Sequence, residues 1–150
     1  MLSVRRGAQA VEFCQAAFGA SVLFRLDGEG GTVVAQLSVG AAEFWVADES
    51  PEHLNFSPET LGGGTVRMVM VVADPDAVFD RAVRAGAKGV HPVADQPYGW
   101  RVGRVVDPFG HHWGVSTHVE DVSGEEMARR AQEWMAQMSA KAVAAKAGQD

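Results

Sequence analysis

Asp107-Pro108-Phe109-Gly110-His111-His112-Trp113 is the stretch whose reading decides the fold. Proline next to aspartate, followed by glycine, makes a turn, and the residues after it, 111–117 (HHWGVST), read as a strand. Upstream, 100–106 (WRVGRVV) and about 88–93 supply two more strands. Before them Asp74-Pro75-Asp76 opens a helix running to about Ala85, because proline is tolerated in a first turn. The run 65–72 (TVRMVMVV) precedes that helix as a further strand, so 65–117 reads strand, helix, three strands.

Residues 1–47 repeat the plan. Leu2-Ser3-Val4 is a short opening strand. In 8–18 (AQAVEFCQAAF) the residues Ala10, Val11, Cys14, Ala17 and Phe18 share one helical face, and Gly19 ends the helix. Three β-like runs follow at 21–27, 32–39 and 42–47. Gly19-Ala20 returns as Gly86-Ala87 at an offset of 67 residues, and Gly40 returns as Gly110 at an offset of 70. Offsets this similar mark a duplicated half-domain. The expected fold is α+β, with two tandem βαβββ modules in one domain over 1–118.

Between the modules, 48–64 carries Pro51, Pro58 and Gly62-Gly63-Gly64, which suggests a mobile crossing or lid rather than a packed element. Residues 119–150 read as a helical tail. Ser123 with Glu126 forms a capping box, and Met127, Ala131, Trp134, Met135 and Met138 give the helix an apolar face for the domain or a partner chain.

Composition narrows the function. The 150 residues carry a net charge of −6, with 47% hydrophobic and 21% charged residues, as in an ordinary globular domain able to build a core without staples. Thirteen Lys+Arg against nineteen Asp+Glu, with no basic stripe, argue against nucleic acid as partner. No apolar run is long enough for a membrane span. The single cysteine, Cys14, and the lack of a secretory leader point to a cytoplasmic location, which makes the sequon Asn55-Phe56-Ser57 incidental. No dinucleotide or P-loop motif, serine elbow or paired-cysteine zinc pattern is present.

The two modules, with Asp107-Pro108-Phe109-Gly110-His111-x-Trp113 opening the last strand and Ala17-Phe18-Gly19-Ala20 closing the first helix, resemble the vicinal oxygen chelate superfamily of glyoxalases, bleomycin-resistance proteins and extradiol dioxygenases. The resemblance covers about residues 1–118. It implies modules curling into an open sheet around a cavity, usually in a dimer. In the enzymes it also implies a divalent metal held by four His, Gln or Glu side chains.

At the places the resemblance assigns to those ligands, this sequence offers no donor. The place four residues after Gly110 holds Gly114, and its counterpart after Gly40 is Phe44. The place at the start of the second module holds Arg67, whose guanidinium stays protonated and repels a metal. The remaining place falls before Met1. Alternation puts His112 and Ser116 on the cavity side with Gly114, and groups Ala42 and Val46 with Phe44.

Other residues have two readings. Trp100 either stacks on a planar ligand or plugs the core, and Tyr98 reads as a core plug. Arg67 either clamps an anionic ligand or pairs with Glu43, and Arg101 is expected to pair with Asp107. His112 is either a cavity acid/base or a structural histidine. Cys14 faces a helix core. The expectation is a metal-independent small-molecule binding protein, in a homodimer, with Phe44, Arg67, Trp100, His112 and Gly114 at the ligand and no cofactor. The alternative is a metal-dependent lyase, isomerase or dioxygenase of the same superfamily, using for instance His112, Glu43 or Gln36. A third reading is an interaction module working through the tail helix.

Overall fold

The computed structural model describes residues 1–147. Each expected module is present. The first comprises β1 (Leu2–Val4), α1 (Gly7–Phe18), β2 (Ser21–Asp27), β3 (Val33–Val39) and β4 (Ala42–Asp48). The second comprises β5 (Arg67–Val71), α3 (Pro75–Arg84), β6 (Lys88–Asp95), β7 (Trp100–Val106) and β8 (His112–His118), with the short α2 (Pro58–Leu61) between the modules. Each module forms its own four-stranded sheet, in the orders β1-β4-β3-β2 and β5-β8-β7-β6. In both, the first strand lies parallel beside the last and the rest are antiparallel. The chain is therefore α+β with two open sheets.

The core lies where α1 and α3 meet one face of each sheet. Ala10, Val11, Cys14, Ala17 and Phe18 are buried, as their helical spacing predicts, and Gly19 closes α1 in the left-handed conformation. Phe13 and Phe18 of α1 reach across to Phe109 and Trp113, with ring centroids 6.2 and 4.7 Å apart respectively, which joins the two modules in one core. Arg81 adds a hydrogen bond from its Nε to the Ala17 carbonyl at 2.7 Å. Gly7 is required at the head of α1. The Asp48 carboxylate accepts from the backbone N–H of Gly7 (3.0 Å) and of Val33 (2.7 Å), and a Cβ on Gly7 would lie 2.3 Å from Asp48 Oδ2.

The turn that revealed the fold is a hydrogen-bonded knot. Asp107, 7% exposed, accepts from the backbone N–H of Phe109 and His111 through Oδ1 and from Trp113 Nε1 through Oδ2, each at 2.9 Å. His111 Nε2 lies 2.9 Å from the Ser3 carbonyl, and Arg6 donates to the Pro108 carbonyl at 2.9 Å, so the knot also anchors the first module. Asp107 thus has no bond to Arg101. Arg101 points off the opposite end of β7 and pairs with Asp76 of α3 and Asp95 of β6 at 2.7 and 3.0 Å.

The segment 48–64, expected from its prolines and glycines to be a crossing or lid, is mostly exposed and is anchored to the body at Ser57 and Pro58. Ser57 is fully buried and Pro58 is buried beside Gly110. The Glu49 carboxylate accepts from Ser57 N and Thr60 Oγ1, both at 2.8 Å, and these hydrogen bonds, Ser57's first, hold it below the usual carboxylate range. That Glu49 reaches within the segment to Ser57 and Thr60 is invisible to a reading of local composition.

The tail forms α4 (Gly124–Ala147), with Ser123 Oγ accepting from Glu126 N at 3.2 Å as one half of the expected capping box, while the Glu126 carboxylate accepts from Arg129 and Arg130 instead of Ser123 N. Its apolar stripe does not pack on the body: Met127, Trp134, Met135 and Met138 are exposed. Residues 148–150 of the expected tail lie outside the described residues. No described helix is long and apolar enough to cross a membrane.

Candidate functional site

The faces of the two sheets away from the helices remain uncovered, and their residues follow from the strand registers. In the second sheet, Gly103 and Val105 of β7 and Trp113 and Val115 of β8 point to the helices, since Val105, Trp113 and Val115 are buried and a Cβ on Gly103 would meet Phe79 of α3. Alternation then places Trp100, Val102, Arg104 and Val106 on the open face with His112, Gly114 and Ser116, beside Arg67, Val69 and Val71 of β5.

Two cross-strand rows form the centre of this face. One runs Arg67, His112, Val106 and the next runs Val69, Gly114, Arg104. Because Gly114 has no side chain, the second row is low in the middle, with Arg104 on one side and Val69 on the other, and Arg67 and His112 stand in the neighbouring row. Arg67, Arg104 and His112 line a pocket of about 170 Å³ with Gly64, Thr65 and Val66. Neither arginine meets a carboxylate within 4 Å among the described residues, and Arg104 Nε is buried without a hydrogen-bond partner. Glu43, the expected partner of Arg67, instead accepts from Gln36 Nε2 at 2.8 Å on the other sheet.

Of the residues selected from sequence, Arg67, His112 and Gly114 thus come together. Trp100 shares their face but stands at its far end, about 13 Å along β7 from Arg104, with its ring 5.3 Å from that of His118. Tyr98 is exposed rather than a core plug.

Phe44 requires a correction. It pairs with Leu37, which is fully buried, and its ring lies 5.7 Å from that of Trp113, so it faces the core side with Val46. Trp45 takes the open face instead. The cause is turn length: β3 and β4 are joined through the two residues Gly40 and Ala41, whereas the five residues 107–111 join β7 and β8. Counting from the glycine therefore lands one residue short in the first module. Phe44 does line a second hollow of about 690 Å³ at the seam between the modules, with Leu2, Val39, Met68, Met70 and Trp113 among its walls.

Three open-face residues escaped the sequence reading. Trp45 and Phe24, with rings 5.9 Å apart, form an aromatic pair on the open face of the first sheet. Arg104 was the third, and its signal was its place between Val102 and Val106 on the strand face opposite Val105.

The profile of the glyoxalase/bleomycin resistance protein/dioxygenase superfamily matches residues 1–115. The chain belongs to this superfamily. Among its relatives, the uncharacterized protein Mb0911c of Mycobacterium bovis is 37% identical over 130 residues, 84% of this chain and 86% of that protein. The uncharacterized protein Rv0887c of Mycobacterium tuberculosis matches at the same identity over 76% of its length. Among solved structures, TioX from Micromonospora sp. ML1 is similar at 30% identity and a TM-score of 0.62, covering 79% of this chain and 94% of TioX. A gene product of Arabidopsis thaliana is similar at 28% identity and a TM-score of 0.59, covering 76% and 90%.

The donor set of this superfamily member does not suit the divalent metal of its enzymes. Among the described residues no three His, Cys, Asp or Glu side chains converge. The assigned places hold Gly114 and Arg67, and the corrected place in the first module holds Trp45, none of which ligates a metal. The thiol of Cys14 lies on the core side, where burial and then the nearby charge of Asp107 push it up to about 12, so it is no nucleophile.

Proposed function

We propose that this superfamily member is a metal-independent small-molecule binding protein, of the kind that sequesters its ligand, and that it works as a homodimer. The observation carrying this reading is the exchange of metal donors for Arg67 and Gly114 on an open sheet face lined by Val69, Val71, Val102 and Trp100. Such a face offers apolar contact, a stacking ring and fixed positive charge, which together suffice to hold a flat molecule without a Lewis acid. A cytoplasmic home suits its one buried, unpaired thiol.

The dimer is supported by what the open faces expose. Val69 and Val71 are 62% and 69% exposed on one sheet, and Phe24 and Leu26 are 48% and 59% exposed on the other. A second copy laying its Phe24 and Trp45 face over Arg67, Val69 and Val71 would bury both surfaces and enclose the ligand.

The test is a thermal-shift screen of flat aromatic molecules on protein stripped with EDTA, alongside metal analysis after incubation with zinc, nickel, manganese and iron(II). Ligand stabilisation that is the same before and after stripping is expected, because mass action needs only the ligand. Stoichiometric metal uptake on which stabilisation depends would establish a metal enzyme instead.

A further inference from the structure

Resting on that reading of the open face, we infer that its ligand is an organic carboxylate with a flat apolar body, whose carboxylate is gripped between Arg67 and Arg104 above Gly114.

The argument starts with cost. Arg104 is half-buried with its Nε buried and without an acceptor, which is costly unless something compensates it, and the exposed Arg67 stands on the same face. Elsewhere most arginines have acceptors: Arg6, Arg25, Arg101, Arg129 and Arg130 each hold a carboxylate within 3.1 Å, Arg5 has Glu49 at 3.5 Å and Arg81 holds a carbonyl, while the exposed Arg84 has none among the described residues. At Arg67 and Arg104 no carboxylate lies within 4 Å among the described residues, and Arg104 Nε has no acceptor among them. Two such side chains on adjacent rows of one face form a place prepared for an acceptor from outside.

The shape of the place selects among anions. The pocket is about 170 Å³ and is walled by Gly64, Thr65 and Val66 together with Arg67, Arg104 and His112, with Gly114 next to His112 and Arg104 in the strand register. A Cβ on Gly114 would lie 3.4 Å from Val69 Cγ2, so the glycine keeps clear a space that any side chain longer than alanine would fill. Guanidinium forks match the planar, two-oxygen geometry of a carboxylate, and the His112 ring adds a further hydrogen-bonding nitrogen. Beyond the head the face turns apolar, through Val69, Val71 and Val102 to Trp100, which accommodates a flat hydrocarbon body. The guanidiniums thus occupy the electrostatic position of the superfamily's metal, neutralising ligand oxygens with fixed charge.

The experiment uses the full chain and three probes: 2-naphthoate, its neutral isostere 2-naphthamide, and inorganic phosphate. Calorimetry is expected to show saturable naphthoate binding at least tenfold tighter than naphthamide, because a charge-assisted bidentate contact is worth roughly 1.5–3 kcal/mol. R67Q and R104Q should each weaken naphthoate at least tenfold while leaving naphthamide unchanged. R104K, which keeps the charge and spares the fold if the glutamine variant does not, should fall between them. Equal binding of naphthoate and naphthamide, indifference to R67Q and R104Q, or no naphthoate binding at millimolar concentration would each overturn the carboxylate grip. The first two would leave metal-independent binding standing. Phosphate displacing naphthoate at matched concentration would overturn the choice of carboxylate. Naphthoate binding only after zinc is added would defeat both the grip and the reading beneath it.

Discussion

Trp113 Nε1 donates to Asp107 Oδ2 at 2.9 Å, across the turn that starts β8 and inside the core shared by both modules. The same carboxylate takes two backbone N–H groups on its other oxygen, so all of its contacts are donors and none is a cation. D107N keeps the shape but puts an amide NH2 against one of these donors. A loss of about 2–4 kcal/mol in urea unfolding is expected, from a buried polar group left mispaired. Loosening should reach both modules, because His111 and Arg6 tie the same turn to Ser3 and α1. A change below about 0.5 kcal/mol would show the knot to be dispensable.

Cys14 provides a pH test. Its thiol ionises near 12 when folded, against 9.0 for the ordinary group, through burial first and the Asp107 charge second. The unfolded chain therefore releases this proton at lower pH than the folded one, so stability holds below about 9 and falls as pH rises from 9 toward 12. Denaturation midpoints across that range should decline in the wild type and less in C14A after its own cavity cost is subtracted. At pH 8 a thiol reagent should label native Cys14 only at the rate of opening, and full labelling within mixing time would contradict its burial.

The charges on α4 titrate the other way. Glu126 is pulled down to about 2 by hydrogen bonds from Arg129 and then Arg130, below its ordinary 4.5. Its contribution is present above 4.5 and is lost as pH falls toward 2. Amides of the first turns of α4 should keep their exchange protection at pH 5 and lose it progressively below, and E126Q should flatten that dependence. Protection lost already at pH 5 would mean the Arg129 and Arg130 bonds do not hold the helix.

Phe24 is half-exposed on an edge strand and contributes nothing to the shared core, so F24D should fold. If a second copy covers this face, the substitution buries a charge in the interface. Sedimentation should then show dimer for the wild type and monomer for F24D, with melting temperatures within a few degrees of each other once concentration is matched. A wild type that sediments as a monomer at tens of micromolar would rule out this dimer.

Sequence patterns carried the fold well and the site unevenly, for identifiable reasons. The helical face of α1 and the order of both modules follow from periodicity and turn chemistry, which are local and survive without tertiary context. His112 and Gly114 were found from their distance to Gly110 in the Asp107 turn, and Arg67 from its place at the start of the second module. Phe44 was misplaced because strand parity depends on hairpin length, and a two-residue loop at Gly40 differs from a five-residue loop before His112. The packing of Ser57 depends on Glu49, eight residues earlier in the same segment, and the pairing of Arg101 depends on Asp76, which approaches from α3. Arg104 looked like an ordinary strand arginine. Only the register that sets it opposite Gly114, and the absence of a nearby acid among the described residues, distinguish it.

Restoring a carboxylate at the superfamily's place tests how the two charge patterns are related. In G114E the new Cβ meets Val69 Cγ2 at 3.4 Å, ordinary contact, and the side chain rises between Arg67 and Arg104. A glutamate there has the guanidiniums of Arg67 and Arg104 within reach and would make, with His112, only two metal donors among the described residues, so it should pair with the arginines rather than recruit a metal. The variant is expected to melt within a few degrees of the wild type, because the new pairing offsets the strain. Its naphthoate affinity should fall at least tenfold, because the glutamate occupies the place of the ligand's head. Zinc or manganese should leave its melting temperature unchanged. Metal-dependent stabilisation of G114E would instead show that one missing donor, and not the pair of guanidiniums, separates this face from a metal site.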